Sequence, residues 1–368
     1  MKTTGIDLLV VGAGPAGLGA AIEGARHGLK VLLVDENDRA GGQLFKQIHK
    51  FFGSAEHYAG TRGFRIGEML LEEARNLGVR VWLNTMAWGI FGDREVSLVR
   101  GNRVYTVQAK TVVLATGATE NALSFPGSTL PGVMTAGAAQ TMVNIHRVLP
   151  GKRVVMVGAG NVGLIVAYQL IQAGAEIRAV VEAADRVGGY AVHEGKIRRA
   201  GVPVYTGHTV LEARGRQEVS SVVLAPLAGD GCPDPVRAFE VEADTVCLAV
   251  GLSPRTGLAR TAGCQLDYLP ALGGHVPLHD RNMQTVPGVY VAGDLAGVEE
   301  ASTALEEGRL AGLACALQLG TVEPEPARLA LAETERRLQQ LRSGCFGEMR
   351  RACKEELTGK GCTVYGRQ

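Results

Sequence analysis

Two glycine-rich fingerprints constrain this 368-residue chain more than any other feature: Gly12-Ala13-Gly14-Pro15-Ala16-Gly17 and Gly158-Ala159-Gly160-Asn161-Val162-Gly163. Each stands between a short apolar run (7–11 and 154–157) and an Ala/Leu-rich stretch that reads as helix. A lone G-x-G-x-x-G is common in turns. Strand, glycines, helix, second strand and terminal acid in that order mark a dinucleotide-binding unit. In the first unit Gly12 permits the tight turn, Gly14 keeps a Cβ out of the path of a pyrophosphate, and Gly17 lets the helix pack on the strand. The amides and dipole of the helix start, where Pro15 and Ala16 stand, then face the phosphates. The second strand, 31–34, runs into Asp35 and Glu36; either carboxylate can accept from ribose hydroxyls, and a spacing of eighteen residues from Gly17 favours Asp35.

The second unit repeats the plan and ends in Glu182, nineteen residues beyond Gly163. An acid there accepts from a free ribose and repels a 2′-phosphate, which favours NAD over NADP, while the neighbouring Arg186 works the other way. The repeat extends to Gly41-Gly42-Gln43 after the first unit and Gly188-Gly189-Tyr190 after the second. Two such units imply two dinucleotides and electron transfer between them. A second unit that keeps the fold without its nucleotide stays open as an alternative.

The length exceeds one comfortable core and suits two nucleotide-binding domains. With 38 basic and 37 acidic residues, nothing suggests a nucleic-acid or anionic-membrane partner. The N-terminus enters a strand almost at once, without the pattern of a secretory leader, and the apolar runs are too short to span a bilayer. Seven scattered cysteines suit a reducing compartment, so the expected location is the cytoplasm.

Two more segments carry a resemblance. Thr111-Val112-Val113-Leu114-Ala115-Thr116-Gly117 reads as a buried strand ending in a small-residue turn, and 285–292 as another, ending in Gly293-Asp294 ahead of a helix near Ala301. With the two fingerprints, these resemble the two-dinucleotide-binding-domain flavoproteins of the pyridine nucleotide–disulfide oxidoreductase superfamily, over about residues 5–320. The resemblance implies FAD at Gly12, Gly14, Pro15, Ala16, Gly17, Asp35 and Glu36, with Gly42 and Gln43 beside the isoalloxazine. It places Ala115, Thr116 and Gly117 where the chain returns near FAD. Gly293 and Asp294 then meet the ribityl–pyrophosphate region, and Ala301 and Ser302 start a helix aimed at the flavin. NAD(H) falls on Gly158, Gly160, Asn161, Val162, Gly163 and Glu182, with Gly251 in a second crossing. The implied fold is α/β: two Rossmann-like three-layer nucleotide-binding domains, the second inserted in the first. The FAD domain is expected at 1–120 and 273–320, the NAD(P) domain at 121–265, and a helical surface or docking tail at 321–368.

Disulfide reductases of the superfamily carry a Cys-x-x-Cys or Cys-x4-Cys pair beside the flavin; here no cysteine precedes Cys232, so those activities are not expected. Cys247 and Cys315 read as packing residues. Cys345, Cys353 and Cys362 lack a compact cluster or zinc spacing, and no metal site is expected. The stretch 125–140 after Ala-Thr-Gly, together with 34–43, resembles the alpha-type subunits of sarcosine oxidases and of opine, hydroxyproline and dye-linked proline dehydrogenases. That implies a hetero-oligomer in which the partner is a second FAD-containing, amino-acid-oxidising subunit. It leaves room for a small iron–sulfur subunit, with FMN or an iron–sulfur cluster at a partner interface. The longer members carry a C-terminal Cys-x-Cys iron–sulfur domain; this sequence has no Cys-x-Cys, so a cluster is expected on another polypeptide.

In a chain with only 5% aromatics, residues 45–58 gather Phe45, Phe51, Phe52 and Tyr58 with His49 and His57. They read as a wall of the flavin pocket, a docking surface or a packed loop. No catalytic residue stands out. The expected function is an FAD-dependent oxidoreductase serving as the dinucleotide-binding subunit of an amino-acid or imino-acid dehydrogenase or oxidase. The alternatives are a stand-alone NADH:acceptor oxidoreductase and a non-catalytic, nucleotide-bound structural subunit.

Overall fold

The computed structural model describes residues 2–344 and 347–365, so Cys345 lies outside the described residues. The chain forms two compact units, one of residues 1–119 and 253–368 and one of 120–252.

In the first unit a parallel sheet runs in the order Arg80–Trp82, Val31–Val34, Lys2–Val11, Arg103–Leu114, with Val289–Val291 beyond it. Val and Leu dominate these strands because both faces are covered; Leu8, Leu9, Val10, Leu32, Leu33 and Val113 are all buried. The first half of Arg103–Leu114 also pairs antiparallel with Glu95–Arg100, which pairs with Thr85–Phe91. Helices Pro15–Arg26 and Ala301–Gln318 pack closely through small residues. A Cβ on Gly308 would run into Ala16 O, and one on Gly312 into Ala20 O. That close approach carries the start of helix 301–318 to the first glycine loop.

The second unit has a parallel sheet in the order Val204–Thr206, Glu176–Glu182, Arg153–Val157, Thr245–Leu248, Val133–Thr135. Beside it lies an antiparallel sheet of His208–Arg214, Ser221–Pro226 and Phe239–Glu242. Helix Asn161–Gln172 follows its glycine loop.

One boundary differs from expectation. The chain re-enters the first unit at Ser253, ahead of the expected limits at residues 265 and 273. The reason is packing: Ala259 and Cys264, in and just after helix Gly257–Thr261, are buried in the first unit's core. The tail is helical as expected, and a few of its residues are buried against the first unit. It forms two helices, Pro324–Leu341 and Glu348–Tyr365, within the first unit. Leu338 joins the main core, and Leu357 a smaller cluster with Leu269, Leu272, Val276 and Leu278. Gly361 lies so close to the backbone of His279 that a Cβ would collide with it. No helix among the described residues is long and apolar enough to cross a membrane.

Candidate functional site

The first glycine loop shows three different uses of glycine. Gly12 has φ +104°, and a Cβ there would run into Ala115 O. A Cβ on Gly17 would run into Gly12 O, so both are demanded by the chain's own packing. Gly14 is different: a Cβ would meet nothing closer than Gly42 Cα at 3.8 Å, in an extended conformation open to any residue. Its missing side chain leaves free space in front of a helix start that has no side-chain cap. Uncapped amides facing open space at a helix N-terminus fit the pyrophosphate of a dinucleotide.

The two candidate acids have separate jobs. Asp35 is buried; its Oδ2 accepts the Ala13 amide at 2.6 Å, and its Oδ1 accepts the amide and Nδ2 of Asn37, each at 2.8 Å. It clamps the glycine loop to the end of the second strand. Glu36 is exposed and pairs with Arg255 at 2.6 Å. Around the loop, Ala13 O accepts the Gly41 amide at 2.7 Å, and Gly42, at φ +51°, packs against Gly14. Gln43 is exposed on the turn Gly42–Lys46. Ala115 lies under Gly12; Thr116 donates its hydroxyl to Arg255 O at 3.0 Å, and Gly117, at φ +69°, accepts the Arg255 amide at 2.9 Å. Gly293, at φ +70°, packs on Ala16, where a Cβ would come within 2.7 Å of Ala16 Cβ. Asp294 follows on the turn Gly293–Ala296, and burial pushes its carboxyl up to about 6. Ala301 and Ser302 open helix Ala301–Gln318 and, with Pro15, Leu44, Phe51 and Tyr58, line one apolar cleft. The aromatic segment thus turns Phe51, His57 and Tyr58 inward and leaves Phe52 exposed.

The second loop repeats these contacts. Gly158 has φ +104°, with its Cβ position against Ala249 O, and a Cβ on Gly163 would run into Gly158 O. At Gly160 a Cβ would meet nothing within 4 Å, and the helix it precedes again has no side-chain cap. Glu182 accepts the Ala159 amide at 2.8 Å and the Ala184 amide at 3.0 Å, the counterpart of Asp35. Ala159 O accepts the Gly189 amide at 3.0 Å. Asn161 holds the Tyr190 amide at 2.8 Å, and Val162 is exposed on the first turn. Gly251, at φ +105°, faces Asn121 Nδ2, which a Cβ would approach to 3.1 Å. Arg186 is exposed.

Sequence reasoning missed the ionic groups behind the first cradle. Glu306 and Glu307, adjacent on helix Ala301–Gln318, are both buried. Glu306 accepts from His57 Nε2 at 3.1 Å, from Arg309, and from Arg337 Nε at 3.0 Å. Glu307 accepts the Gly293 amide at 2.9 Å and pairs with Lys354 at 2.7 Å and with Arg342. Burial alone would raise both carboxyls. For Glu306 the His57 hydrogen bond and the Arg309 and Arg337 charges outweigh it; for Glu307 Lys354 and Arg342 do, and each is held at about 2. A Glu-Glu-Gly-Arg run in a helix reads as a solvated face; only the density of Ala and Gly around it hinted at burial.

Burial pushes the thiols of Cys247 and Cys315 up to about 12, which suits inert packing residues. Cys353 and Cys362 sit half-buried on the last helix. Among the described residues no cluster of three His, Cys, Asp or Glu could hold a metal ion. His279 is fully buried, donates Nδ1–H to Asp280 O at 2.9 Å and is pushed down to about 4, chiefly by burial.

A fold with two such loops on parallel sheets is that of oxidoreductases handling two dinucleotides. The chain belongs to the pyridine nucleotide-disulphide oxidoreductase family, whose model matches residues 6–308, and it is a flavin oxidoreductase. FAD with NAD(P) is the cofactor pair this family supports. One opine oxidase subunit of Agrobacterium tumefaciens (strain Ach5) is 32% identical over 88% of this chain and 68% of its own length. Hydrogen cyanide synthase subunit HcnB of Pseudomonas aeruginosa is 31% identical over 87% of this chain and 72% of its own. The alpha subunit of sarcosine oxidase from Corynebacterium sp. (strain P-1) is 29% identical over 85% of this chain but only 33% of its own. Among solved structures, L-proline dehydrogenase from P. horikoshii matches with a TM-score of 0.68 and 25% identity, over 90% of this chain and 59% of that one. The relatives are therefore longer than this chain, and the first three are named as subunits.

Proposed function

We propose that the chain holds FAD in the cradle of Gly12, Gly14, Gly17, Asp294 and Ala301, and NAD(H) in that of Gly158, Gly160, Gly163 and Glu182. In this reading it is the dinucleotide-binding subunit of a cytoplasmic enzyme that oxidises an amino or imino acid. The observation that carries the reading is the contact-by-contact repetition of the two loops, each with one glycine left open to space. A second unit that had lost its nucleotide would have no reason to keep Gly160 free of a side chain. Bound FAD supplies two-electron chemistry; the chain supplies position and field. Amides of helix Pro15–Arg26 hold the pyrophosphate, Asp35 fixes the loop that presents them, and the start of helix Ala301–Gln318 sets a positive dipole end against the flavin. Glu182, locked onto Ala159 and Ala184, presents its carboxylate where a 2′-phosphate would be repelled.

The amine itself is oxidised on a second FAD-containing subunit in this reading, with an iron–sulfur or FMN centre carrying electrons between them. Relatives named as subunits of opine oxidase, hydrogen cyanide synthase and sarcosine oxidase support this. Native mass spectrometry of the protein from its source cells is expected to show a hetero-oligomer with a second flavoprotein. The isolated chain is expected to oxidise no amino acid at the rate of the complex. Amino-acid oxidation by the isolated chain at the rate of the complex would overturn the assignment, and NADH–dye turnover with no stable partner would favour a stand-alone NADH:acceptor enzyme.

A further inference from the structure

The Gly293–Ala296 turn is held by a buried charge cluster whose cations, Arg342 and Lys354, come from the C-terminal segment beyond the dinucleotide fold. Glu307 Oε2 accepts the Gly293 amide at 2.9 Å, while Oε1 takes Lys354 Nζ at 2.7 Å and Arg342 Nη2. Lys354 Nζ also donates to Ala296 O at 2.9 Å, so one ammonium ties the far end of the turn to the glutamate that ties its near end. Arg342 forks onto Glu299, with Nε 3.0 Å from each carboxylate oxygen, and the Glu299 amide faces Asp294 Oδ1 at 3.4 Å. Gly297, at φ +134°, gives Lys354 room: a Cβ there would press to 3.2 Å from its Cε. The side chains of Glu299, Glu307 and Lys354 are about 95% or more buried, and Arg342 is 12% exposed. Glu299 and Glu307 meet two cations, with the Asp294 carboxyl, raised to about 6 by burial, close by and the buried His279 neutral at ordinary pH.

Lysine at this depth is costly to bury unless its N–H donors are satisfied, and Lys354 satisfies them at both ends of the turn, on Ala296 O and on the glutamate that accepts the Gly293 amide. Both ends of the turn and the residue that ligates Asp294 are thus set from the C-terminal helices. We infer that Arg342 and Lys354 are positioning residues for the flavin: through Glu307 and Ala296 they fix the turn that presents Asp294 and the Gly293 backbone to FAD. The tail at 321–368 is then a working part of the flavin site. This rests on the assignment of FAD to the first cradle.

The test uses the full chain, with FAD removed and titrated back by fluorescence, and amide exchange at 293–299 followed by mass spectrometry in the FAD-free protein. Lys354→Met is expected to weaken FAD binding at least tenfold and to speed exchange at Gly293 and across the turn. Lys354→Arg, which keeps a cation at that place, is expected to recover most of the affinity, as a purely space-filling role would not. If Lys354→Met does not fold, the wild-type protein alone decides. Restoring FAD must then slow exchange in 293–299 and in helix Glu348–Tyr365 together, and protection confined to the turn would overturn the inference. Wild-type affinity in Lys354→Met with an unchanged turn would overturn it equally, whereas a wild-type chain that binds no FAD would overturn the cofactor assignment beneath it.

Discussion

Gly14→Val is expected to yield a folded protein that no longer retains FAD. The backbone at Gly14 is extended (φ −75°, ψ −175°), which valine accepts readily, and its Cβ would meet nothing closer than 3.8 Å. The substitution therefore costs the empty protein little. Its branched side chain would stand where the pyrophosphate must approach the helix amides, so the loss falls on binding. Gly17→Ala makes the contrast: its Cβ would drive into Gly12 O, so this change is expected to damage the fold itself. Flavin absorbance per protein and thermal melting separate the two. A Gly14→Val protein with full flavin content would mean that the free space serves something other than a dinucleotide.

Glu307→Ala is expected to be the most destabilising single change in the charged layer, costing about 3 kcal/mol, because it leaves two buried cations to share the single carboxylate of Glu299. Lys354 and Arg342 have little solvent to turn to, with 5% and 12% of their side chains exposed. Glu306→Ala is expected to cost less, because Arg337 and Arg309 are 19% and 20% exposed and can take up water. The Glu307 contribution has a pH signature. Glu307 is held at about 2 in the fold, against 4.5 for an unperturbed glutamate. A depressed carboxyl stabilises the fold fully above the unfolded value, and that contribution fades as pH falls from about 4.5 towards 2. The gap between wild type and Glu307→Ala should thus be largest at neutral pH and shrink on acidification. Denaturant unfolding at a series of pH values measures it, and a gap that widened in acid would contradict the ionic account.

Both Rossmann units were legible in the sequence because their physics is local: a turn, a close approach and an open glycine lie within six residues, with the clamping acid at a fixed distance downstream. Val31–Val34 and Glu176–Glu182 stop where the acids Asp35 and Glu182 announced the strand ends. What sequence alone could not assign was the division of labour between Asp35 and Glu36, since that turns on which carboxylate the Ala13 amide captures. The Glu306–Glu307 pair was illegible for a different reason. Its partners Arg337, Arg342 and Lys354 lie 31 to 47 residues away, and no periodicity links them. The domain limit at Ser253 was hidden likewise, because Ala259 and Cys264 commit that segment to the first core by contacts with distant strands.

We propose that one chain carries two working dinucleotide sites and passes electrons between them. Anaerobic titration of the purified, FAD-loaded protein with NADH, read by the visible flavin absorbance, tests it directly. NADH is expected to bleach the flavin with close to one equivalent, and NADPH to require a much higher concentration because Glu182 repels its 2′-phosphate. A flavin that neither nucleotide reduces, or one that NADPH reduces more readily, would contradict it.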